Sequence, residues 1–186
     1  MSKIALLLSC LLLGACKNEV EVNQINTVDE IMQCEGSEST CEFLINEAVA
    51  KLPTELQDKI VDTSDTLIIY TGANEEKLKS RGVSGITQYA YQKPTRIHSI
   101  AKSHVLFHEL GHEYDITYLH NGNELLSHSK EWIDAYSTEF ISRYGQTSEE
   151  EFYAETFSMY FKNPKSLQKL CPKAYSLHEK EFKNMR

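Results

Sequence analysis

The sequence has few of the residues that dominate fibrous or disordered chains. Its 186 residues include only 8 glycines and 4 prolines, whereas 41% are hydrophobic and 25% are charged. These proportions exclude a collagen-like, mucin-like or largely disordered polymer, and they are typical of a globular protein. A chain of this length buries one hydrophobic core and hardly two, so we expect a single folded domain.

Basic residues are also scarce. The chain has 19 lysines and arginines against 27 aspartates and glutamates, which gives a formal charge of −8. A protein that follows the phosphates of a nucleic acid needs a clustered basic surface, because the phosphate contacts supply most of its affinity. The composition therefore predicts that nucleic acid is not a partner.

A long hydrophobic run is missing everywhere after the first residues of the chain. Residues 4–13 follow Lys3 and are apolar apart from Ser9, a pattern typical of a secretory signal peptide and too short to span a bilayer. The next residues, Leu13-Gly14-Ala15-Cys16, resemble the lipobox of bacterial lipoproteins. We therefore expect residues 1–15 to be a lipoprotein signal peptide and Cys16 to be lipidated. An ordinary signal peptide with a chance cysteine is the alternative.

A lipid on Cys16 would anchor the protein to the cell envelope, outside the cytoplasm. Lys17 follows this cysteine, and similarity to Gram-negative lipoproteins without an aspartate at that position implies the outer membrane. In a protein of Gram-positive origin, the predicted location would not be the outer membrane. Residues 16–40 are mainly polar, and we interpret them as a tether between the lipid and a folded domain at residues 41–186.

Three cysteines remain after the expected lipidation site: Cys34, Cys41 and Cys171. Outside the cytoplasm, Cys34 could form a disulfide bond with either of the other two, and the sequence leaves both pairings open. The spacings match no familiar zinc-thiolate site, which favours a structural role.

Hydrophobic periodicity predicts a small sheet followed by a mostly helical region. Residues 66–70, 83–91 and 96–100 are the strand candidates. Ser39 and Glu42 have the spacing of a capping box at the start of the first helix. Helices are predicted over residues 41–52, from residue 54, and over residues 74–79, 103–119, 129–144, 148–161 and 173–183.

One short motif indicates metal chemistry. His108-Glu109-Leu110-Gly111-His112 is an H-E-x-x-H pattern within a segment that is predicted to be helical. Residues four apart lie on one face of a helix, so both imidazoles can reach the same ion. Glu109 would project beside them toward a metal-bound water, and Zn²⁺ accepts this type of ligand set.

A catalytic zinc site needs a third protein ligand. Residues 149–155 offer several carboxylates, of which Glu151 and Glu155 lie on one helical face, and the residues alone do not choose between them. Ser148 and Glu151 also have the spacing of a capping box, which is a purely structural role. Asp115 follows His112 by three residues and could accept a hydrogen bond from a ligand imidazole, with a solvated helix residue as the alternative.

The other histidines are weaker candidates for metal ligands. His104 precedes His108 by four residues, but Val105 then stands where the catalytic carboxylate belongs. We therefore expect His104 to serve in packing or at the edge of the site. The remaining histidines, which we expect at the surface, are His98, His120, His128 and His178.

Three segments together resemble the family of the anthrax lethal factor catalytic domain and the secreted Pro-Pro endopeptidases. They are residues 103–115 (SHVLFHELGHEYD), 127–136 (SHSKEWIDAY) and 144–157 (YGQTSEEEFYAETF). The resemblance implies an α+β fold, a zincin-like metallopeptidase domain with a small twisted sheet over the active-site helix. It also implies a mostly helical C-terminal half.

The resemblance assigns a role to each site residue. It implies one zinc ion with the ligands His108, His112 and Glu151. Glu109 would be the general base, and Glu155 would be a second carboxylate behind the ligands. Tyr144 precedes Glu151 by seven residues and would stabilise the oxyanion, with a core tyrosine as the alternative.

The implied function is that of a zinc-dependent endopeptidase acting on extracytoplasmic proteins or peptides, with water activated by zinc and Glu109. We expect the substrate to lie extended along an edge strand within residues 83–91. The resemblance to the Pro-Pro endopeptidases implies a substrate that contains proline. The alternative is a non-enzymatic envelope lipoprotein that retains a zincin fold as a binding module.

Overall fold

The computed structural model describes residues 27–90, 93–120 and 122–185. The predicted signal peptide, Cys16 and the first part of the predicted tether lie outside these residues. The side chains of residues 89, 90, 93–95 and 120 are also outside the description, so the prediction for His120 has no structural counterpart. Among the described helices, none has both the length and the apolar character needed to cross a membrane.

The described strands form one four-stranded sheet in the order β1-β2-β4-β3. Strands β1 and β4 each pair in parallel with β2, whereas β3 pairs antiparallel with β4 and lies at the edge of the sheet. The three predicted strands are confirmed, and so is the prediction that the one within residues 83–91 is an edge strand. The strand bounds are Met32–Glu35 (β1), Ser64–Tyr70 (β2), Gly85–Ala90 (β3) and Lys93–Ile100 (β4).

Strand β1 comes from the segment that was predicted to be a tether. Residues 32–35 pair with residues 67–70, and Val28 just before them is fully buried. The tether prediction is therefore wrong for residues 28–35, because a few apolar side chains among polar neighbours are enough to join the core. A disulfide bond between Cys34 and Cys41 ties this strand to the next helix, and Cys171 is a buried free thiol.

The helices largely follow the prediction, with three differences. The first helix begins at Glu38 with Ser37 as its N-cap, so the predicted capping box at Ser39 is wrong. The fifth helix ends at Thr138, before an extended Glu139, and a helix after Asn163 was not predicted. The helices are Glu38–Lys51 (α1), Thr54–Thr63 (α2), Glu76–Lys79 (α3), Ser103–His120 (α4), Lys130–Thr138 (α5), Glu149–Lys162 (α6), Pro164–Leu170 (α7) and Pro172–Phe182 (α8).

Helix α4 is the central element, because it packs against the sheet on one side and against α6 on the other. Its Gly111 permits the close approach of the two helices. A Cβ atom at this position would lie 3.1 Å from the Cα of Ala154 and 3.1 Å from the Cβ of Phe157. The glycine inside the H-E-x-x-H motif therefore brings the two histidines close to the acidic start of α6.

His178 lies in the aromatic core behind α6, where its ring contacts Trp132, Tyr153 and Phe182. It is fully buried, so its predicted surface position is wrong. Burial lowers the pKa of its imidazole to about 3, which keeps the ring neutral. A single histidine carries no periodic signal of this packing.

Candidate active site

The two histidines of the motif lie one turn apart on α4 and face the start of α6. The Nε2 atoms of His108 and His112 are 3.1 Å apart. Only 7% of His108 is exposed, because α6 and the sheet cover this face of the helix. The i, i+4 spacing thus places both imidazoles at one point, as the sequence predicted.

Glu151 meets this pair from the first turn of α6. The hydroxyl of Ser148 accepts a hydrogen bond of 3.3 Å from the Glu151 amide, which caps the helix. The Glu151 side chain extends toward α4, where its Oε2 lies 3.0 Å from His108 Nε2 and 3.3 Å from His112 Nε2. The structure therefore brings together all three residues that were predicted to be ligands.

The donor set fits a zinc ion. Tetrahedral coordination at about 2.0–2.2 Å places ligand atoms roughly 3.3–3.6 Å apart, close to the spacing of these three atoms. The buried Oε2 of Glu151 has no partner with hydrogen-bond geometry among the described residues. A cation would supply that partner, because two neutral imidazoles and one carboxylate can all donate electron pairs to it.

The carboxylates also control the charge of His108. Burial disfavours the protonated imidazole, but the carboxylates of Glu151 and Glu155, at 3.0 Å and 3.3 Å from its ring nitrogens, outweigh burial and raise the pKa of His108 to about 9. In the protein without metal, a proton on His108 would therefore compensate for the neighbouring negative charge.

Glu109 lies between the ligand pair and strand β3, with only 5% of its surface exposed. The hydroxyl of Thr87 donates a hydrogen bond of 2.8 Å to Oε2 of Glu109. A Cβ atom at Gly85 would lie 2.1 Å from Oε1, so only glycine leaves room for the carboxylate there. Burial raises the pKa of Glu109, although His112 and His108 oppose the shift. The sequence did not identify Thr87, because its contact depends on the position of the edge strand.

Tyr144 reaches the ligand cluster from the segment between α5 and α6. Its hydroxyl donates a hydrogen bond of 3.0 Å to Oε1 of Glu151, and its ring centroid is 5.7 Å from that of His108. The residue is 56% exposed, so it borders an open space and is not a core tyrosine. Burial of the hydroxyl and the nearby Glu151 raise its pKa, so the phenol is neutral near pH 7.

Glu155 lies behind the ligands, one turn after Glu151. Its Oε1 is 3.3 Å from Nδ1 of His108, and its Oε2 accepts a hydrogen bond of 3.1 Å from the hydroxyl of Ser142. That hydroxyl in turn accepts a hydrogen bond of 2.9 Å from the amide of Gly145. Ser142 thus supports Glu155, and the sequence did not identify it because serine has no distinctive spacing here.

Asp115 is close to the site but makes different contacts from those predicted. It is 1% exposed, and its two carboxylate oxygens accept hydrogen bonds of 2.8 Å and 2.6 Å from the amide and the hydroxyl of Ser127. Among the described residues, its hydrogen bonds thus go to Ser127 and not to a ligand imidazole. Asp115 holds the segment after α4 against the helix.

A cleft of about 330 Å³ opens in front of His108 and Glu109. Strand β3 and the preceding turn form one side of the cleft, and α4 with Tyr144 forms the other. His104 is exposed and lines the cleft, which agrees with the predicted position at the edge of the site. An extended chain that enters this cleft would pass directly over Glu109.

An active-site helix beneath a small sheet, with a further carboxylate from the next long helix, defines the zincin-like metallopeptidase fold. A family model described as anthrax toxin lethal factor, N- and C-terminal domain, matches residues 76–181. This match covers more than half of the chain and every site residue discussed above. The chain therefore belongs to the anthrax toxin lethal factor family.

The solved structure of the Pro-Pro endopeptidase PPEP-2 from Paenibacillus alvei has the same fold. It aligns with a TM-score of 0.62 and 18% sequence identity, over 83% of this chain and 99% of that chain. None of the curated proteins matches this chain in sequence. Family membership and fold together indicate a protease.

Proposed function

We propose that this protein is a zinc-dependent endopeptidase that hydrolyses peptide bonds of extracytoplasmic proteins or peptides. One observation carries the proposal. Two imidazoles and the carboxylate of Glu151 converge within 3.3 Å, beside the buried carboxylate of Glu109 and at the edge of an open cleft. Such a constellation combines a metal site with a base that can act on water.

The proposed site holds one zinc ion through His108, His112 and Glu151. When bound, zinc would act as a Lewis acid that polarises the substrate carbonyl and lowers the pKa of water. Glu155, supported by Ser142, would keep the His108 ring in the orientation that ligation requires.

Glu109 is the proposed general base. Its carboxylate would remove a proton from the attacking water and later transfer that proton to the leaving amine. The hydrogen bond from Thr87 fixes one carboxylate oxygen, and the close approach of Gly85 limits the movement of the other. These two contacts pre-organise the base before a substrate arrives.

Tyr144 is the proposed oxyanion donor. Its neutral phenol can donate a hydrogen bond to the carbonyl oxygen as negative charge develops there. The hydroxyl now donates to Glu151 at the edge of the cleft, so a rotation of an exposed side chain is enough to redirect it.

The substrate is proposed to bind as an extended peptide along strand β3, by addition of a strand to the sheet edge. A proline-containing peptide is the first substrate to examine, because the structural neighbour PPEP-2 is described as a Pro-Pro endopeptidase. Similarity of fold alone supports this choice of substrate.

The proposed location is the cell envelope, with the lipid on Cys16 as anchor and, in a Gram-negative bacterium, the outer membrane as destination. The sequence pattern at residues 1–16 supports this location. The disulfide bond between Cys34 and Cys41 is a second support, because such bonds form and persist in oxidising compartments outside the cytoplasm.

The test is cleavage of a diverse peptide library by the zinc-loaded protein, followed by mass spectrometry and by measurement of bound zinc. We expect Glu109→Gln to lower cleavage by about 10²–10⁴-fold while zinc stays bound. Glu151→Gln should lose zinc as well as activity. Glu124→Gln removes an exposed carboxylate outside the cleft and is the matched control.

Full turnover by Glu109→Gln would contradict the proposed mechanism. If the wild-type protein binds one zinc ion per chain but cuts no peptide, the endopeptidase proposal fails for peptides of this kind. The non-enzymatic binding module is then the better interpretation.

A further inference from the structure

Ser142 lies in the segment between α5 and α6, and its hydroxyl group makes two hydrogen bonds. The hydroxyl donates to Oε2 of Glu155 at 3.1 Å and accepts from the amide of Gly145 at 2.9 Å. Gly145 is buried, so its amide depends on a protein acceptor. One side chain therefore contacts both a carboxylate of α6 and the backbone next to Tyr144.

The bond to Glu155 leads to the candidate ligand His108. A histidine that binds a metal through Nε2 carries a proton on Nδ1 and donates it to a carboxylate or another acceptor. Nδ1 of His108 is buried, and Oε1 of Glu155 lies 3.3 Å from it. Because Glu155 is half-buried and borders the cleft, its carboxylate could also turn toward solvent. The bond from Ser142 opposes that rotation, since it fixes the second oxygen.

The bond from Gly145 holds the backbone of Tyr144. The amide of Gly145 and the carbonyl of Tyr144 belong to the same planar peptide unit. That carbonyl accepts hydrogen bonds of 2.9 Å and 2.6 Å from the amide and the hydroxyl of Thr147. Ser142 and Thr147 thus hold the two polar groups of one peptide unit. With this unit fixed, the phenol of Tyr144 moves by rotation of its own side chain.

The turn that contains Gly145 also packs directly against Glu155. A Cβ atom at Gly145 would lie 2.6 Å from Cγ2 of Ile141, 3.3 Å from Cγ of Glu155 and 3.4 Å from Oγ of Ser142. The missing side chain therefore lets the turn approach α6 closely. A displacement of this turn would affect Glu155 and the backbone of Tyr144 together.

We propose that Ser142 is a positioning residue that couples the proposed zinc ligand His108 to the proposed oxyanion donor Tyr144. Its bond to Glu155 orients the imidazole, and its bond from Gly145 orients the peptide unit that precedes the turn. The inference rests on the proposed endopeptidase function and deepens it. Ligand orientation and oxyanion stabilisation then depend on one shared hydroxyl group.

The experiment compares Ser142→Ala with the wild-type protein in two measurements. The first is the Kd for zinc, from competition with a chromogenic chelator, and the second is kcat and KM for a cleaved peptide at saturating zinc. We expect Ser142→Ala to raise the Kd about 10-fold, the lower end of the effect of a group behind a metal ligand. It should lower kcat about 10-fold, less than the loss of an oxyanion donor itself, and leave KM within about 3-fold.

Three further variants separate positioning from a general structural role. Ser142→Thr keeps the hydroxyl group and should keep the Kd for zinc and kcat within about 3-fold of the wild-type values. Thr147→Ala removes one donor to the carbonyl of Tyr144 and leaves Ser142 in place, so it should lower kcat without changing the Kd for zinc. Ser137→Ala removes an exposed serine hydroxyl of α5 and should change neither value.

The double variant Ser142→Ala/Tyr144→Phe tests the coupling itself. Two residues that act through the same group give non-additive effects. In the Tyr144→Phe background, we expect Ser142→Ala to lower kcat by less than about 3-fold, because the phenol that it positions is already missing. The rise in the Kd for zinc should persist in this background.

Gly145→Ala replaces Ser142→Ala if circular dichroism shows that the serine variant does not fold. Its added Cβ displaces the same turn from Ile141 and Glu155 but leaves the hydroxyl group of Ser142 present. It should therefore raise the Kd for zinc and lower kcat in the same way.

The outcomes separate the two proposals. Absence of zinc-dependent cleavage by the wild-type protein would overturn the proposed function, and the coupling with it. Zinc-dependent cleavage with an unchanged Kd for zinc, or an unchanged kcat, in Ser142→Ala would overturn the coupling alone. So would a fall in kcat that is equally large with and without the phenol of Tyr144.

Discussion

The helical wall of the cleft, formed by α4 and α6, buries His108 and Glu109, whereas the strand wall formed by β3 is half-buried and lies at the edge of the sheet. On the helical wall, aromatic side chains such as Tyr114 and Phe157 pack behind the candidate ligands. On the strand wall, the position of the backbone rests on one neighbouring strand and on the contacts of Gly85 and Thr87 with Glu109.

This difference separates two tasks. The candidate ligands need distances that stay constant, and rigid packed helices provide such distances best. The substrate needs an accessible edge with unpaired backbone groups, which only an exposed strand offers. Substitutions in the packing behind the helical wall should therefore lower stability, whereas substitutions in the strand wall should lower activity and leave stability nearly unchanged.

The largest effect is expected on the strand wall, from Gly85→Ala. The new Cβ would lie 2.1 Å from Oε1 of Glu109 and would displace the proposed base. We expect peptide cleavage to fall by about 10²-fold or more, as for removal of a general base. The free energy of unfolding, measured with urea, should change by less than about 1 kcal/mol, because alanine suits a strand at least as well as glycine.

Gln88→Ala is the control for this substitution, because Gln88 is an exposed residue of the same strand. It should leave the rate of cleavage within about 3-fold of the wild-type value. A large loss of stability in Gly85→Ala would contradict the division of tasks between the walls.

On the helical wall, Gly111→Val should mainly reduce stability. The added atoms would meet the backbone of Ala154 and the ring of Phe157, which already lie 3.1 Å from an ideal Cβ. Overpacking of this kind costs typically about 1–3 kcal/mol, and a backbone contact that cannot yield favours the upper end. Urea unfolding followed by circular dichroism measures the change.

Ala50→Val places the same side chain at an exposed position of helix α1 and measures the cost of valine in a helix by itself. That cost should be about 0.5 kcal/mol. If the two substitutions lower the free energy of unfolding by the same amount, then close packing at Gly111 does not determine the distance between α4 and α6.

A pH-dependent effect on stability is expected from a carboxyl group behind the helical wall. Burial raises the pKa of Glu181 to about 7, although hydrogen bonds from Tyr118 and Tyr114 oppose the shift. Because the folded-state pKa lies above the unfolded value of 4.5, the stabilising contribution is complete below pH 4.5 and is lost as the pH rises through 7. We expect Glu181→Gln to remove this decline, which is about 3 kcal/mol between pH 4 and pH 8.

Urea unfolding at several pH values measures this effect. Glu179→Gln is the control, because Glu179 lies on the same helix and also accepts a hydrogen bond from a tyrosine hydroxyl, at 2.8 Å from Tyr160. It should retain the wild-type decline. Parallel pH profiles for the wild-type protein and Glu181→Gln would contradict the assignment.

The sequence predicted most elements because their signals are local, whereas the fold class was implied by the family resemblance. Strand β2 contains a continuous apolar run at residues 67–70, and α4 carries the H-E-x-x-H motif at a spacing that a helix brings to one face. Residues of β1 gave no such signal, since their burial depends on pairing with a strand that lies more than 30 residues away in sequence. The burial of His178 was not predicted for the same reason, because the aromatic residues that cover it come from other helices.

The sequence by itself determined that two histidines and a glutamate stand together on one helix, and that carboxylates follow on a second helix. Tertiary structure decided which of those carboxylates faces both imidazoles. Glu151 lies within 3.3 Å of the two Nε2 atoms, whereas Glu155 lies beside Nδ1 of His108. Periodicity orders residues along one helix, but the packing of Gly111 against Ala154 fixes the rotation and distance of one helix relative to another.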